Sequence, residues 1–409
     1  MLLNGKRLLF LGAGEFSLPA IRAAKELGCF VVVTDNVPSN PGHKFGDVSE
    51  NISTVDLDAC LEVARKHGVD GVMTYGSDVS TPAVAFVAEQ LGLPGNPFAS
   101  ATVLQRKDLV RGFQKEHGLN HPAFMVLRAG AEASVQYRAE LEAFAFPAVV
   151  KPVDSSGSKG ISVVRAPADV PAALANALTF SRKGLAVLEA FVEHDMLELD
   201  GDIWIKDGKL AFRHYGHNYF SKKNKTMVPI GEIFPGFFGD DIGLALDEQF
   251  QKLIDGLGIR NGCMNFDGAV SGGNVYLFDI ALRNGGNFVP YLIQLSSGFN
   301  ITQAAVCTAL GVDYPCESPI AKAPRPVASY VLNTAEEGEL VGVDIAPEIR
   351  DYLLEQKLFV QPGSPVLPFT RGDRALGILI FTFPDLAVMR EKMEQIEDLV
   401  RVVVNATPA

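Results

Sequence analysis

A lysine at the end of an apolar run is followed at once by a loop rich in serine and glycine. In the stretch VVKPVDSSGSKGI, residues 149–161, Lys151 ends the run. The loop residues that share hydroxyl or glycine chemistry are Ser155, Ser156, Gly157, Ser158 and Gly160. An ammonium group binds phosphate as a point charge, and backbone N–H groups in a glycine-containing loop can fold over anionic oxygens. The stretch therefore predicts a strand and a loop that hold phosphates, although the chain has no GxxxxGK[ST] loop.

Two carboxylates lie on neighbouring predicted strands. Asp267 in NFD and Asp279 in FDIALR are joined by a turn at Gly272 and Gly273. Facing carboxylates repel each other unless a cation lies between them. Magnesium takes oxygen ligands together with substrate phosphates. The pair therefore predicts a Mg²⁺ site, for which Mn²⁺ is an alternative ion. Arg283 follows the second acid and suits a bidentate anion, either phosphate or carboxylate.

Two more charged residues fit the binding of a nucleotide only when they are considered together with the loop and the acid pair. Lys107, in LQRKDLVR, precedes an amphipathic helix and offers a second cation. Glu189 is the single acid in the apolar strand VLEAFV, and the end of such a strand can pair the edge of an adenine. Taken alone, Lys107 would be an ordinary solvated lysine.

The order of these motifs resembles the ATP-grasp superfamily over essentially the whole chain. The shared order is a lysine before a helix, a strand with lysine, proline and a glycine loop, a strand with glutamate, and two acids on a hairpin followed by arginine and glycines. The opening region, with DGVMTYGSDVSTPAVAFVAEQLGLPG, is similar to that of the biotin carboxylase and purine-biosynthesis branches. The later part is similar to amino-acid ligases. Each motif is weak, but the set is specific.

The resemblance implies a binding site for ATP. The residues carried over are Lys107, Lys151 and the loop 155–160 for the phosphates, and Glu189, Phe191 and Val192 for the adenine. Either Asp195 or Glu198 would bind the ribose. Asp267 and Asp279 would bind magnesium.

The same resemblance implies that Lys151 and Arg283 take part in catalysis, with Arg283 steadying the substrate or an acyl phosphate. One position departs from the family pattern. The family usually has E-x-N-x-R after the second acid, whereas this chain has Ala281 in the place of the asparagine. Asn284 or Asn287 could substitute, and a degenerate, non-catalytic member is the alternative.

The function expected from this reading is an ADP-forming carboxylate–amine ligase that works through an acyl phosphate, with an amino acid as one substrate. A purine-biosynthesis carboxylase or formyltransferase is the alternative within the superfamily. A non-catalytic nucleotide-binding protein and an NAD-binding oxidoreductase are alternatives from other classes. The NAD reading rests on LGAGEFS, residues 11–17, and on Asp35, but Ser17 replaces the third glycine of the fingerprint.

The pattern of predicted elements gives an α/β and α+β fold. Residues 1–96 alternate between apolar strands and helices, which indicates a doubly wound parallel sheet. Residues 97–324 are mixed and mostly antiparallel, as in a two-lobed ATP-grasp domain with lobes at about 97–187 and 188–324. Residues 325–409 would form a small α+β lid. Glu15 and Asp78 follow strands of the first sheet, at the crevice where such sheets bind ligands.

One histidine-containing stretch remains without a clear role. His214 and His217 lie in FRHYGHNYFSKKNK, which the sequence indicates is a polar surface loop; a catalytic base is the alternative. Lys222, Lys223 and Lys225 make this stretch basic, and it could steer an anionic substrate.

The composition of the chain limits the kinds of partner and the location that we expect for the protein. The 409 residues carry a formal net charge of −12, which argues against nucleic acid as a partner. No apolar run approaches the length of a membrane helix, the N-terminus lacks a signal-peptide pattern, and the five cysteines show no CxxC pairing. We expect a cytoplasmic protein with small-molecule carboxylate and amine substrates, as a monomer or as a homodimer like the related branches.

Overall fold

A computed structural model describes residues 2–130, 134–223 and 227–406. Its strands are β1 (Arg7–Leu11), β2 (Phe30–Thr34), β3 (Val48–Glu50), β4 (Gly71–Thr74), β5 (Phe124–Arg128), β6 (Ala148–Pro152), β7 (Ser162–Val164), β8 (Leu185–Ala190), β9 (Leu199–Lys206), β10 (Lys209–Phe220), β11 (Pro229–Phe234), β12 (Gly262–Ser271), β13 (Asn274–Ala281), β14 (Val327–Leu332), β15 (Gly338–Ile345), β16 (Leu353–Leu358), β17 (Pro365–Val366), β18 (Gly377–Thr382) and β19 (Val400–Ala406). Its helices are α1 (Leu18–Glu26), α2 (Leu57–His67), α3 (Thr81–Leu91), α4 (Phe98–Leu104), α5 (Lys107–Glu116), α6 (Val135–Glu142), α7 (Val170–Leu178), α8 (Asp240–Leu257), α9 (Val289–Ser297), α10 (Ile301–Ala309), α11 (Pro347–Arg350), α12 (Leu386–Glu394) and α13 (Ile396–Leu399).

The N-terminal part folds around a parallel sheet with the strand order β3-β2-β1-β4. Successive residues of β1 point to opposite faces. Leu8 and Phe10 pack in the cluster that includes α1 and α10, whereas Leu9 and Leu11 pack in the cluster with α2 and α3. Both faces of the sheet are therefore covered, which confirms the doubly wound arrangement predicted from the continuous apolar strands.

The turn after β1 is occupied by the protein's own loop. Asp35 is only 8% exposed, and its Oδ2 accepts hydrogen bonds from the Ala13 N–H at 2.8 Å and from Asn40 Nδ2 at 2.9 Å. A Cβ on Gly42 would lie 2.8 Å from the Ala13 backbone, so the loop after β2 closes tightly over the turn. The acid that the NAD alternative assigned to a ribose thus has a structural role, and this geometry gives that alternative no support.

A smaller antiparallel sheet, β5-β8-β6-β7, carries the serine–glycine loop. The predicted hairpin is present, because β6 pairs with β7 in the register Val150↔Ser162 and the loop connects them. Helices α6 and α7 pack against the sheet. Strand β8 lies at the middle of this sheet, so the lobe boundary expected at about residue 187 would divide a strand that belongs to the first lobe.

The largest sheet is antiparallel and has the order β13-β12-β9-β10-β11-β14-β18-β16. Helix α8 packs in the cluster on one side of it, and α9 and α10 pack in the cluster that joins it to the N-terminal sheet. Strands β14, β18 and β16 come from the C-terminal part, so this sheet continues past residue 325, which the sequence analysis did not predict. The C-terminal part also contains the separate sheet β17-β15-β19. The three-part division at residues 97 and 325 stays a prediction.

Two further features concern the cysteines and the length and apolarity of the helices. All five cysteines are free thiols, and Cys29, Cys60, Cys263 and Cys307 are buried. Within the residues that the structure describes, no helix combines the length and the apolarity needed to cross a bilayer.

The start of α2 offers a direct test of the local structure. Asp56 caps this helix, because its Oδ1 accepts a hydrogen bond from the Ala59 N–H at 3.1 Å. We predict that Asp56→Ala lowers the free energy of unfolding by about 1 kcal/mol. Asp58→Ala, the matched control in the first turn, should lower it by only a few tenths of a kcal/mol, because it loses only the interaction with the helix dipole. Urea denaturation of both variants measures this difference, and equal losses would contradict the assignment.

Candidate active site

A cavity of about 350 Å³ lies where the smaller sheet, the β12–β13 hairpin and the turn after β4 meet. The sequence-predicted residues that line it are Lys107, Lys151, Ser155, Ser156, Gly157, Ser158, Asp267, Asp279 and Arg283. Those that lie outside its lining are Gly160, Glu189, Phe191, Val192, Asp195 and Glu198. The structure thus brings together the predicted phosphate, metal and catalytic residues.

Lys107 reaches the cavity because it begins a helix there. Arg106 is extended, with φ −119° and ψ 108°, and separates α4 from α5. The Lys107 N–H donates to the Val153 carbonyl at 2.9 Å. Its Nζ lies 3.2 Å from Asp279 Oδ1 and 3.1 Å from the Ser155 carbonyl oxygen. One ammonium group therefore joins a predicted metal ligand to the predicted phosphate loop.

Lys151, near the end of β6, has one carboxylate partner. Its Nζ lies 3.0 Å from Glu189 Oε2 and 5.6 Å from the centroid of the Phe278 ring. Burial alone would lower the pKa of Lys151, but the charges of Glu189 and Asp279 outweigh burial and raise it above its usual value. The side chain is therefore an ammonium group next to the cavity.

The structure revises the role expected of Glu189. Its carboxylate, 3% exposed, lies between Lys151 and Arg111, whose Nε is 2.9 Å from Glu189 Oε1. Burial would raise the pKa of Glu189, but these two cations lower it below its usual value. The carboxylate is therefore committed to two cations rather than directed at an adenine. Phe191 is 39% exposed beyond the end of β8, and the adenine roles of Phe191 and Val192 stay predictions.

The serine–glycine loop forms one wall of the cavity. Its backbone has positive φ angles at Gly157 (65°), Ser158 (57°) and Gly160 (77°). A Cβ on Gly160 would lie 2.8 Å from both the Phe180 and Pro152 side chains, so this position requires glycine on two grounds. The Ser158 hydroxyl donates to the carbonyl of residue 227 at 2.9 Å, which ties the loop to the segment before β11.

Asp267 and Asp279 are directly opposite each other in the β12–β13 ladder, as the hairpin pattern predicted. Asp200 of β9 is opposite Asp267 on its other side, which makes a row of three carboxylates across neighbouring strands. Asp279 keeps 40% of its side chain open towards the cavity. Burial acts to raise the pKa of Asp279, but Lys107 and Lys151 outweigh it and lower that pKa to about 2. Burial and the charge of Asp279 raise the pKa of Asp267 to about 6.

The acid row fits a divalent cation that also takes ligands from elsewhere. Among the described residues, no group of three or more His, Cys, Asp and Glu side chains is arranged as a complete metal site. Asp267 has no lysine or arginine partner in the described structure; its Oδ1 accepts a hydrogen bond from Asn218 Nδ2 at 2.8 Å. Magnesium commonly binds through one or two carboxylates plus phosphate oxygens and water. Two opposed carboxylates beside a phosphate loop match that ligand set.

The two acids considered for the ribose lie in different places. The Asp195 carboxylate accepts a hydrogen bond from the Gly273 N–H at 3.2 Å, so it holds the tip of the β12–β13 hairpin. Glu198 shares Asn218 with Asp267, because Asn218 Nδ2 donates to Glu198 Oε1 at 3.0 Å. Burial and the charge of Asp267 raise the pKa of Glu198 to about 8. Glu198 is therefore next to the acid row, and the ribose role of both residues stays a prediction.

Arg283 is fixed between two parts of the chain. Its Nε donates to Asp78 Oδ1 at 2.7 Å, and its Nη1 donates to Asn265 Oδ1 at 3.0 Å. The turn that carries it is held by Asp202, which accepts from Asn284 Nδ2 at 2.9 Å and from the Gly285 N–H at 3.0 Å. The guanidinium group is thus held rigidly at the cavity wall, between the N-terminal sheet and β12.

The structure shows what surrounds Ala281, the position without the family's asparagine. Asn265 is opposite Ala281 in the ladder, but its amide is already used by Arg283 and by Asp202. Asn284 is buried and donates to Asp202, so it is not free to take the missing role. Asn287 lines the cavity and donates to Glu232 Oε1 at 3.1 Å.

The prediction of a surface loop around the histidines was wrong. Both residues lie in β10 and are buried, with His214 5% and His217 1% exposed. His214 Nε2 is 2.9 Å from Ser296 Oγ, which itself donates to the Arg325 carbonyl. His214 is therefore a neutral donor in the core. His217 Nε2 accepts from the Phe237 N–H at 2.9 Å, and neither ring lines the cavity.

The basic residues that follow are engaged by the C-terminal part. Lys222 Nζ donates to the Glu394 carbonyl at 3.4 Å, and Lys223 Nζ donates to Asp398 Oδ1 at 2.6 Å. Lys225 lies outside the described residues. The idea that this stretch steers a substrate therefore finds no support in Lys222 and Lys223.

Sequence reasoning missed three polar residues of the site. Arg111 and Asn265 were overlooked because their partners are distant in sequence. Glu232, 1% exposed, lines the cavity and contacts Ser329 of β14. Burial raises the pKa of Glu232 to about 7. A single acid in the apolar stretch VPIGEIF was the only available signal for Glu232.

Comparison with known protein families agrees with this geometry. A model of the ATP-grasp N-terminal domain matches residues 21–95, and a model of the D-ala D-ala ligase C-terminus matches residues 113–203. Two regions of the chain therefore match models of ATP-grasp-type domains, in agreement with the resemblance seen in the sequence. The fold and the family resemblance predicted from the sequence are confirmed.

Curated relatives carry a purine-biosynthesis name. A formate-dependent phosphoribosylglycinamide formyltransferase from Rhodococcus jostii (strain RHA1) is 27% identical over 95% of this chain and 93% of its own length. A protein of the same name from Synechococcus sp. (strain CC9605) is 33% identical, but the match covers 47% of this chain and 48% of that relative. The chain thus spans about half the length of the second relative and nearly all of the first.

Solved structures share the ATP-grasp fold across the whole chain. An L-amino acid ligase from Bacillus licheniformis aligns with a TM-score of 0.80 at 21% identity, covering 98% of this chain and 99% of that one. An N5-carboxyaminoimidazole synthetase from Staphylococcus aureus, solved in complex with ADP, aligns with a TM-score of 0.74 at 14% identity and covers 96% of each chain. At these identities the likeness establishes the fold alone.

The contacts of Lys151 lead to a prediction about turnover. We expect Lys151→Ala to reduce ATP turnover by about 10²-fold or more, because it removes a cation placed for developing phosphate charge. Asp279→Ala should have a similar effect by removing a metal ligand. Lys252→Ala, on the exposed face of α8, is the matched control and should retain wild-type rates. ADP release measures the effect, circular dichroism checks folding, and a folded Lys151→Ala protein with normal turnover would refute the role.

The burial of His214 leads to a prediction about acid stability. Burial and the Arg213 charge lower the pKa of His214 to about 3, below its usual value near 6.5. The unfolded chain therefore binds one more proton than the folded protein between these pH values, and stability falls as pH falls. The difference in unfolding free energy between the wild type and His214→Gln should change by about 1.4 kcal/mol per pH unit between pH 6 and 4. A pH-independent difference would indicate that His214 does not titrate in this way.

Proposed function

We propose that the chain uses ATP to activate a carboxylate as an acyl phosphate and then transfers the acyl group to an amine. The observation that carries this proposal is the convergence of Lys107, Lys151, Asp267, Asp279 and Arg283 on one cavity, next to the serine–glycine loop. Two cations for phosphate, two acids for a metal and one arginine for an acyl phosphate form the set that this reaction requires.

Each proposed role follows from the position of the side chain. Lys107 and Lys151 bind the ATP phosphates, and the loop 155–160 covers them. Arg283 is held by Asp78 and Asn265, so it can present its guanidinium group to the acyl phosphate without reorganisation. Transfer of the γ-phosphoryl group from ATP to the substrate would need no protein nucleophile, because the substrate carboxylate itself attacks the γ-phosphorus.

Asp267 and Asp279 are the residues that would hold Mg²⁺, with Mn²⁺ as an alternative. Their opposed carboxylates fit such an ion, since among the described residues no lysine or arginine lies within salt-bridge distance of Asp267. When bound, the ion supplies Lewis-acid neutralisation of the charge that develops on the transferred phosphoryl group. Ala281 stands in the place of the family's asparagine, so the side chain at this position offers no oxygen ligand to the ion.

The substrate class is best supported by the full-length relative. Its name, formate-dependent phosphoribosylglycinamide formyltransferase, favours formate as the carboxylate and a phosphoribosyl amine as the acceptor. This is the purine-biosynthesis alternative of the sequence analysis, which the relatives support better than an amino acid.

One observation keeps an uncharged or zwitterionic amine, such as an amino acid, as the second candidate. A substrate phosphate needs cations that are free to bind it. The C-terminal part of the chain reaches the cavity, because Gly372 and Asp373 line it. There Arg371 is 3.1 Å from Asp373 Oδ1, and Lys357 is 3.0 Å from Glu15 Oε2. Arg371 and Lys357 are thus each paired with a carboxylate. We expect small-molecule substrates in either case; a cytoplasmic location and a homodimer stay predictions.

A substrate panel tests the function. ADP and phosphate release should be measured with magnesium and ATP, against formate plus glycinamide ribonucleotide, single amino acids and amino-acid pairs, with Lys151→Ala as the control. We predict at least a tenfold stimulation over the background by one carboxylate–amine combination, lost in the control. Stimulation by formate and the ribonucleotide would establish the formyltransferase reading, and stimulation by an amino-acid pair would establish the second candidate. No stimulation by any combination would contradict the proposed ligase activity on these substrate classes.

A further inference from the structure

A fully buried arginine lies behind the phosphate-binding face of the cavity. Arg111, on α5 one turn after Lys107, has 0% of its side chain exposed. Its Nε lies 2.9 Å from Glu189 Oε1, and its Nη2 donates to the Phe278 carbonyl at 2.7 Å. Nη1 donates to the side-chain oxygen of Gln114 at 2.9 Å and to the Leu277 carbonyl at 3.3 Å. Nη1 and Nη2 therefore have hydrogen-bond partners, whereas Nε is paired with Glu189 by charge alone.

Glu189 has two cationic partners of different kinds. Arg111 approaches its Oε1 and Lys151 approaches its Oε2, each at about one hydrogen-bond length. Arg111 is fixed by the backbone of β13, whereas the ammonium of Lys151 has Glu189 as its one carboxylate within 4 Å among the described residues. Lys151 also lines the cavity, and Arg111 does not. One partner is thus anchored, and the other can move towards the cavity.

We propose that Arg111 is a positioning residue that serves as the permanent counter-ion of Glu189. Because Glu189 keeps this partner, the ammonium group of Lys151 can move away from Glu189 and bind the phosphates of ATP. This inference rests on the proposed role of Lys151 in binding ATP. Leaving a buried carboxylate with no partner costs several kcal/mol. With Arg111 in place Glu189 stays paired when Lys151 leaves, so that cost is largely avoided.

Arg111 also fixes the strand that carries a predicted metal ligand. The carbonyls of Leu277 and Phe278 immediately precede Asp279. The guanidinium group donates to these carbonyls and lies 2.9 Å from Glu189, so it holds the end of β13 next to β8. The same side chain therefore joins β8 of the smaller sheet to β13 of the larger one.

A charge-rescue series tests the proposal with ATP binding, measured by calorimetry, as the readout. Arg111→Met should weaken ATP binding by roughly tenfold or more, because Glu189 then retains Lys151. Arg111→Met combined with Glu189→Gln should return the Kd of ATP to within about threefold of wild type, because no buried carboxylate is left to hold the lysine. A merely structural role would give no such rescue, since the second substitution removes another native contact.

The outcomes separate this inference from the proposed function. A folded Arg111→Met protein with unchanged ATP affinity, or a double variant that binds no better than Arg111→Met, would overturn it. If Arg111→Met does not fold, Arg111→Gln removes the charge and keeps a polar side chain; it should also weaken ATP binding by roughly tenfold, and unchanged ATP affinity in that folded variant would overturn the inference. Unchanged ATP binding by Lys151→Ala would instead refute the role of Lys151, and a missing ligase reaction would leave these binding results intact.

Discussion

Repulsion between carboxylates in neighbouring strands is the constraint around which the site is built. Asp200, Asp267 and Asp279 are in register across β9, β12 and β13, where like charges destabilise a sheet. The protein relieves one end of this row with Lys107, and at the other end burial and Asp267 raise the pKa of Asp200 well above its usual value. The row of carboxylates in the folded chain therefore favours the binding of a cation. The lysines and the phosphate loop lie next to this row.

The residues that neutralise the charged groups of the site come from different parts of the chain. Arg283 is paired with Asp78, 205 residues away, which links the turn after β4 to the end of β13. Lys107 links α5 to the same hairpin, and Glu15 reaches Lys357 of β16. Ion pairs across such junctions contribute little to stability when they are exposed, as Glu15 and Lys357 are. The less exposed pairs of Arg283 and Lys107 are the ones that hold these parts of the chain together around the cavity.

Local patterns in the sequence predicted what depends on short-range order. The alternation of β1 to α3, the glycine turn between Asp267 and Asp279, and the strand ending near Lys151 each follow from periodicity and turn residues within about twelve positions. The sequence could not show that Glu189 pairs with Arg111, because their contact depends on how α5 packs against β8. It also misread His214 and His217, since a histidine in a strand resembles a polar loop residue unless its burial is known.

The continuity of the largest sheet limits how this protein can be divided or remodelled. β11 pairs with β14 through Ile233↔Ala328 and Phe234↔Val327, so the ladder crosses residue 325 without a break. A truncation there would leave β11 with unpaired backbone groups and an apolar surface of the kind that recruits another chain. The C-terminal part is therefore not a module to be exchanged by cutting at the linker, and a chimaera would have to carry β11 and β14 together.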